Sequence, residues 1–181
     1  MIRDGLKIKT FLIDYFMQWG TPSDLEDFNW YSDVFNHIIK KSFKNNNIYK
    51  GCLLMPMAGE GSRFREKGYK IPKPFIKISG SEMYLKAIKY LPRMETIKIV
   101  TREDLIKNKK TSLNITNKKL NISIKSLKTN TDGQARTALE AMGDNNIKLE
   151  KPLIISACDM GVVFDEKKYQ NLLSSKEVDI L

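Results

Sequence analysis

The chain is poor in the side chains that most often carry chemistry. Its 181 residues include one histidine, His37, and two cysteines, Cys52 and Cys158. His37 stands among Phe35, Ile38 and Ile39 and reads as a packing or surface residue rather than a general base. The cysteines lie far apart, in or beside apolar runs, which argues against a disulfide pair or a metal site. They read as small buried residues in a reducing compartment. No apolar run is long enough to span a membrane, and the N-terminus lacks the apolar core and cleavage site of a signal peptide. A soluble, cytoplasmic protein with no membrane partner is expected. Acidic charge is also scarce: 21 Asp+Glu face 31 Lys+Arg, giving a net charge of +10. The excess is mostly lysine, scattered among many Asn and Ile residues, as an AT-rich genome would produce. The local clusters, Lys107–Lys110 and Lys118–Lys119, lack the interleaved aromatics of a single-strand binder, so no nucleic-acid partner is expected.

What remains is ordinary globular sequence, with 41% hydrophobic residues, enough for one core and a small appendage. No internal repeat is present. Residues 1–45 form a first segment that closes in a polar, linker-like stretch; residues 46–181 form a second. In the first, Lys7–Met17 reads as a strand. Thr21-Pro22-Ser23-Asp24 then reads as a helix start, with Thr21 as cap, Pro22 at the first helical position and Asp24 completing a capping box. Leu25, Phe28, Tyr31, Phe35, Ile38 and Ile39 follow at helical spacing, to about Lys41, and Trp19, Trp30 and Tyr31 read as core. In the second segment strands and helices alternate. Strands are expected over Cys52–Met57, Thr96–Thr101, Ile122–Leu127, Leu153–Ala157 and from Val178, and helices over Ser81–Tyr90, Gln134–Met142 and Asp165–Leu173. This order predicts an α/β fold with a mostly parallel, doubly wound sheet, whose ligands sit at the carboxyl ends of the strands.

One such strand end is distinctive. The apolar run Leu53–Met57 gives way to a turn of small residues holding Gly59, Gly61 and Ser62, with Arg63 directly after it. Further on, Lys73 stands between Pro72 and Pro74. No Gly-Lys-Ser/Thr follows, so this is not a Walker A loop. Phe64 occupies the place of the third glycine of a dinucleotide fingerprint. Gly-x-Gly-x-Arg alone fits a tight turn with a solvated arginine equally well. Two prolines fixing a lysine's backbone tip the reading towards a cradle for a polyphosphate. Asp159, after the run Leu153–Ala157, reads either as a turn or N-cap residue or as a ligand. Glu103 and Asp104 read as a helix-start pair, and Asp132 as a residue of the turn before Gly133.

Met55 through Gly80 resembles the signature of the sugar-phosphate nucleotidyltransferases, the NDP-sugar pyrophosphorylase family. Thr131-Asp132-Gly133-Gln134-Ala135 and Ile154-Ile155-Ser156-Ala157-Cys158-Asp159 resemble that family's base-contacting loop and metal-binding strand end, in the family's order. The resemblance spans about residues 51–181. It implies a Rossmann-like sheet of the nucleotide-diphospho-sugar transferase type, here incomplete, with an N-terminal strand-helix appendage. It implies nucleotide contacts from Met57, Ala58, Gly59, Gly61, Ser62, Gly133 and Gln134. Arg63 would bind the β- and γ-phosphates, Lys73 would neutralise charge at the α-phosphorus, and Asp159 would hold Mg²⁺. The implied reaction is transfer of NMP from an NTP to a phosphorylated acceptor, a sugar phosphate for surface polysaccharide, with release of pyrophosphate. The alternative is a catalytically incomplete nucleotide-binding fragment or assembly subunit. A glycosyltransferase using a finished NDP-sugar is disfavoured, because Cys158-Asp159-Met160 is not an Asp-x-Asp site.

The order of parts departs from the family. Gln18-Trp19-Gly20-Thr21-Pro22-Ser23-Asp24-Leu25 resembles the segment that normally closes the catalytic domain, yet it precedes the nucleotide loop. Gln18 stands where many members carry a second magnesium-binding aspartate, and an amide is a poorer Mg²⁺ ligand than a carboxylate. The acceptor-binding portion has no counterpart up to Leu181. Three arrangements fit: the tail of one domain joined to the first half of another, a permuted and minimised domain, or exchange of pieces within a homo-oligomer or with a partner transferase chain. The first is the expectation, since permutation explains the order but not the missing centre.

Overall fold

A computed structural model of the chain describes residues 10–39, 47–107, 121–143 and 151–175. The expected linker before residue 46, the lysine clusters between 108 and 119 and the strand from Val178 lie largely or wholly outside them, as does the side chain of His37. The chain divides into two compact units, Gln18–Gly161 and the pair of segments Met1–Met17 and Val162–Leu181.

The larger unit is built on a four-stranded parallel sheet. Its strands are β2 (Tyr49–Pro56), β5 (Met94–Arg102), β6 (Ile122–Leu127) and β7 (Leu153–Ile155), in the order β6-β5-β2-β7. The fold is therefore α/β with a parallel sheet, as expected. From β2 the chain moves outward through β5 to β6, then returns to the other side of β2 as β7. The β2/β7 boundary is thus a switch point, where such sheets open a crevice beyond their strand ends. Burial on both faces makes the central strands continuous apolar runs. On one face Cys52, Leu54 and Val100 pack with Ala138 and Ala141 of helix α5 (Gln134–Met142), with Leu127, Met142 and Leu153 at the margin. On the other, by alternation, lie Leu53, Met55, Ile97 and Ile99, all buried.

Between β2 and β5 run helix α2 (Ser62–Glu66), a 3-10 turn (Lys73–Phe75), a small hairpin β3–β4 (Lys77–Ile78 and Ser81–Glu82) and helix α3 (Met83–Lys89). The helix expected from Ser81 starts two residues later because Ser81 and Glu82 pair with Ile78 and Lys77. Ser79 and Gly80 both have positive φ, 47° and 82°, the conformation a two-residue hairpin turn requires. After β5 comes α4 (Glu103–Lys107), opened by the expected Glu103–Asp104 pair.

Helix α1 (Pro22–Ile39) belongs to this larger unit and starts as its sequence predicts. The Asp24 N–H donates to Thr21 Oγ1 at 3.3 Å, and the Thr21 N–H donates to Asp24 Oδ2 at 3.0 Å. Substituting Thr21 with alanine is expected to cost about 1 kcal/mol in urea unfolding, with Thr21→Ser retaining most of it. The apolar face of α1 is only partly buried. Trp19 and Leu25 are core, and Trp19 meets Phe28 edge-on at 4.8 Å. Trp30 and Tyr31, expected in the core, are 64% and 52% exposed, and Phe35 is exposed too. These three rings pack on one another instead, Trp30 against Tyr31 at 5.0 Å and Tyr31 over Phe35 at 6.1 Å.

The strand expected over Lys7–Met17 is shorter where described. It forms β1 (Tyr15–Gln18), paired with β8 (Met160–Val163). Helix α6 (Glu166–Ser174) is capped by Asp165, whose carboxylate accepts the Lys168 N–H at 3.0 Å. No described helix is long and apolar enough to cross a membrane.

Candidate functional site

At the switch point the ends of β2 and of the β7–β8 connection face a cavity of about 220 Å³. Its wall includes Met57, Ala58, Gly59, Gly61, Lys73, Gly133, Gln134 and Asp159. Four segments widely separated in sequence thus converge on one space, all within the larger unit.

Each segment is held by its neighbours. The Met57 N–H donates to the Val100 carbonyl at 2.8 Å, and Thr101 Oγ1 donates to the Met57 carbonyl at 3.2 Å, so β5 fixes the start of the loop. Gly61 then turns the chain into α2 with φ 63° and ψ 37°, a left-handed conformation that costs glycine little. Of the two glycines read as able to adopt positive φ, only Gly61 does so; Gly59 has ordinary φ and open space where a Cβ would lie. Phe64, buried, anchors α2 and meets Tyr69 edge-on. On the facing wall Gly133 has φ 90° and ψ 174°, open to glycine alone, and its carbonyl accepts Thr137 Oγ1 at 3.0 Å. Thr131 and Thr137 share a hydroxyl–hydroxyl bond across this turn.

Lys73 and Asp159 meet across the cavity, with Nζ 2.5 Å from Oδ2 and side chains 21% and 11% exposed. Lys73 opens the 3-10 turn, where the Phe75 N–H donates to the Pro72 carbonyl at 2.9 Å; Pro74 and Phe75 are buried. Asp159 lies in the turn before β8, beyond the end of β7 at Ile155, so strand β7 is two residues shorter than expected. Its carbonyl accepts the Trp19 N–H at 2.8 Å. A Cβ on Gly20 would lie 3.1 Å from Gln18 Nε2 and 3.3 Å from Asp159 Oδ2, so Gln18 and Asp159 flank Gly20 closely. Beside Asp159, burial and then the neighbouring carboxylate push the Cys158 thiol up to about 12, keeping it neutral.

Ser62 and Arg63 are not part of the cavity wall. Both are exposed at the start of α2, and the Arg63 guanidinium has no hydrogen bond or ion pair among the described residues. At the rim Glu60 bridges two loops, accepting from Arg65 Nη2 and from Asn130 Nδ2, both at 2.6 Å. Arg102 donates to Asn130 at 3.2 Å and binds Asp104 with two nitrogens, holding that carboxyl below the usual carboxylate range. Thr137, buried one helical turn after Gly133, also lines the cavity, and no local motif marks it in the sequence.

The donor set is compatible with Mg²⁺ of one kind. Among the described residues no group of three or more acidic, His or Cys side chains could cage a metal. Asp159 is nevertheless a buried carboxylate opening onto the cavity. Magnesium commonly takes one or two carboxylates and completes its shell with water and substrate phosphates. Asp159 suits a cation that arrives with a polyphosphate. Comparison with protein-family models, with curated proteins and with solved structures gives no match.

Proposed function

We propose that this chain is a nucleotidyltransferase of the sugar-phosphate type, moving NMP from an NTP to a phosphorylated acceptor and releasing pyrophosphate. One observation carries the reading. All but Ser62 and Arg63 of the residues that the sequence resemblance assigns to nucleotide, base and metal line a single cavity at the switch point of a parallel sheet, with a cation and a carboxylate facing each other across it. The sheet is then that of a nucleotide-diphospho-sugar transferase. The cavity is smaller than the roughly 300–1,000 Å³ of drug-sized ligand sites. It would hold the base side and α-phosphate, between Gly133 and Lys73. The outer phosphates would extend over the loop towards Arg63, whose exposed guanidinium, unengaged among the described residues, suits them.

Phosphoryl chemistry of this kind needs positioning and charge neutralisation more than covalent participation. Lys73 would place positive charge at the α-phosphorus, where charge builds as the acceptor phosphate attacks in line. Gly61 and Gly133 would let backbone approach the ligand closely. Asp159 would hold Mg²⁺, which when bound acts as a Lewis acid on the phosphate oxygens. The test is incubation with each NTP, Mg²⁺ and a panel of sugar phosphates, with pyrophosphate as the readout. Arg63→Ala is expected to weaken NTP binding by about tenfold or more, the value of a charge-assisted bidentate contact. Unchanged affinity would remove Arg63 from the site.

A second reading has its own support. Gln18 supplies an amide beside Asp159 where a second carboxylate would strengthen metal binding. A nucleotide-binding assembly subunit, acting beside a complete transferase, would bind NTP yet release no pyrophosphate with any acceptor.

A further inference from the structure

Lys73 and Asp159 have a relationship that a list of site residues would not reveal. Among the described residues Asp159 is the one buried carboxylate, and the Lys73 ammonium lies 2.5 Å from its Oδ2. Both ends are fixed by backbone. Lys73 sits between two prolines, with Gly61 against its Cβ, and Asp159 is held through its carbonyl by the Trp19 N–H. The pair is therefore set by the fold rather than by two long side chains meeting in solvent.

We infer that the Lys73 ammonium is a built-in counter-ion competing with the divalent cation for Asp159, so that metal and nucleotide each strengthen the binding of the other. The inference rests on the nucleotidyltransferase reading for the identity of the ligand. An ammonium on Oδ2 and a divalent cation on the same carboxylate repel each other at such short range, so each weakens the other's hold on it. Without nucleotide, Lys73 neutralises the Asp159 charge, which weakens the attraction of the carboxylate for a metal. A nucleotide phosphate gives Lys73 an alternative anion. As the ammonium moves to it, Asp159 is freed for the cation that the phosphates carry. Each ligand thus prepares the site for the other, and the coupling must be equal in both directions.

The inference makes predictions of opposite sign for two parts of the same site. Binding of Mn²⁺ alone, without nucleotide, is followed by the electron paramagnetic resonance of the free ion. The native chain is expected to bind weakly. Lys73→Met is expected to bind Mn²⁺ at least about tenfold more tightly, since it leaves a buried carboxylate without a counter-ion. Asp159→Asn should abolish that site, placing the metal on Asp159. In the second arm, NTP binding is measured in the presence of EDTA. Asp159→Asn should bind NTP more tightly than the native chain because Lys73 is released. Combining it with Lys73→Met should erase the gain, which separates release of the ammonium from simple loss of a negative charge. Far-UV circular dichroism establishes that each variant is folded. Mn²⁺ affinity unchanged or weakened in Lys73→Met overturns the inference, as does failure of Asp159→Asn to improve metal-free NTP binding. If the native chain binds no NTP with Mg²⁺, the nucleotidyltransferase reading fails instead, and the Mn²⁺ arm still decides whether lysine blocks the metal.

Discussion

Replacing Gly51 with alanine is expected to destabilise the fold by at least about 3 kcal/mol, lowering the thermal midpoint by about 6–12 °C for a chain of this size. Gly51 lies inside β2 at the bulge where the pairing with β5 shifts register, and its φ is +126°, outside the range that L side chains favour. A Cβ there would lie 2.1 Å from the Pro152 carbonyl oxygen and 2.9 Å from the Met94 methyl. The methionine can move. The carbonyl cannot, because it accepts the Cys52 N–H at 3.0 Å and leads directly into β7. Alanine therefore incurs a strained backbone and separates the two strands on which the switch point depends, at about 1–3 kcal/mol for the strain and more for the lost bond. Urea unfolding measures the sum, and a native-like midpoint would show that the bulge can relax.

Gly61→Ala should show the complementary behaviour, damaging the site more than the fold. Its φ of +63° costs alanine about 1 kcal/mol, and the new methyl would approach Lys73 Cβ to 2.9 Å. Lys73 is braced by its prolines, so the loop must give way or the ammonium must be displaced from its position facing Asp159. Nucleotide affinity is expected to fall at least about tenfold, while the thermal midpoint moves by only a few degrees. Titration calorimetry with NTP and Mg²⁺, beside a thermal scan, checks both halves. Retained affinity would mean that Gly61 and Lys73 do not act on the same ligand.

Much of the fold was legible because its central elements are long and regular. Strand β6 and helix α5 fall on the residues that apolar periodicity predicts, and the capping box of α1 is readable as four consecutive residues. The hairpin β3–β4 and strand β8 were not predicted. Strands of two and four residues are too short for a pattern of alternation, and only the Ser79-Gly80 turn marks the hairpin. The aromatic residues of α1 misled for a different reason. Helical spacing states which side chains share a face, not whether anything covers it, and here Trp30, Tyr31 and Phe35 touch one another yet stay exposed.

The candidate site divides along similar lines. Local motifs identified Gly61, Lys73, Gly133 and Asp159 one at a time, and all four line the cavity. Their juxtaposition was not readable, because the Lys73–Asp159 pair joins residues that no local spacing relates. Nor was the approach of Gln18 to Asp159, although both belong to segments the sequence had marked. Ser62 and Arg63 lie outside the cavity wall, since adjacency in sequence to a cavity-lining glycine does not place a side chain in the cavity.

The main-chain bond from Trp19 to Asp159 also bears on how the cavity is assembled in time. It joins the beginning of the larger unit to its end, around a sheet whose parallel pairings are themselves non-local. Contacts of such long sequence separation form slowly, since the entropy of closing the intervening chain is lost before any contact offsets it. The sheet core of β2, β5 and β6 can condense first. Closure of the Asp159 turn by Trp19 would then be a late event in folding, so a partly folded chain would possess the glycine loop but not its opposing carboxylate.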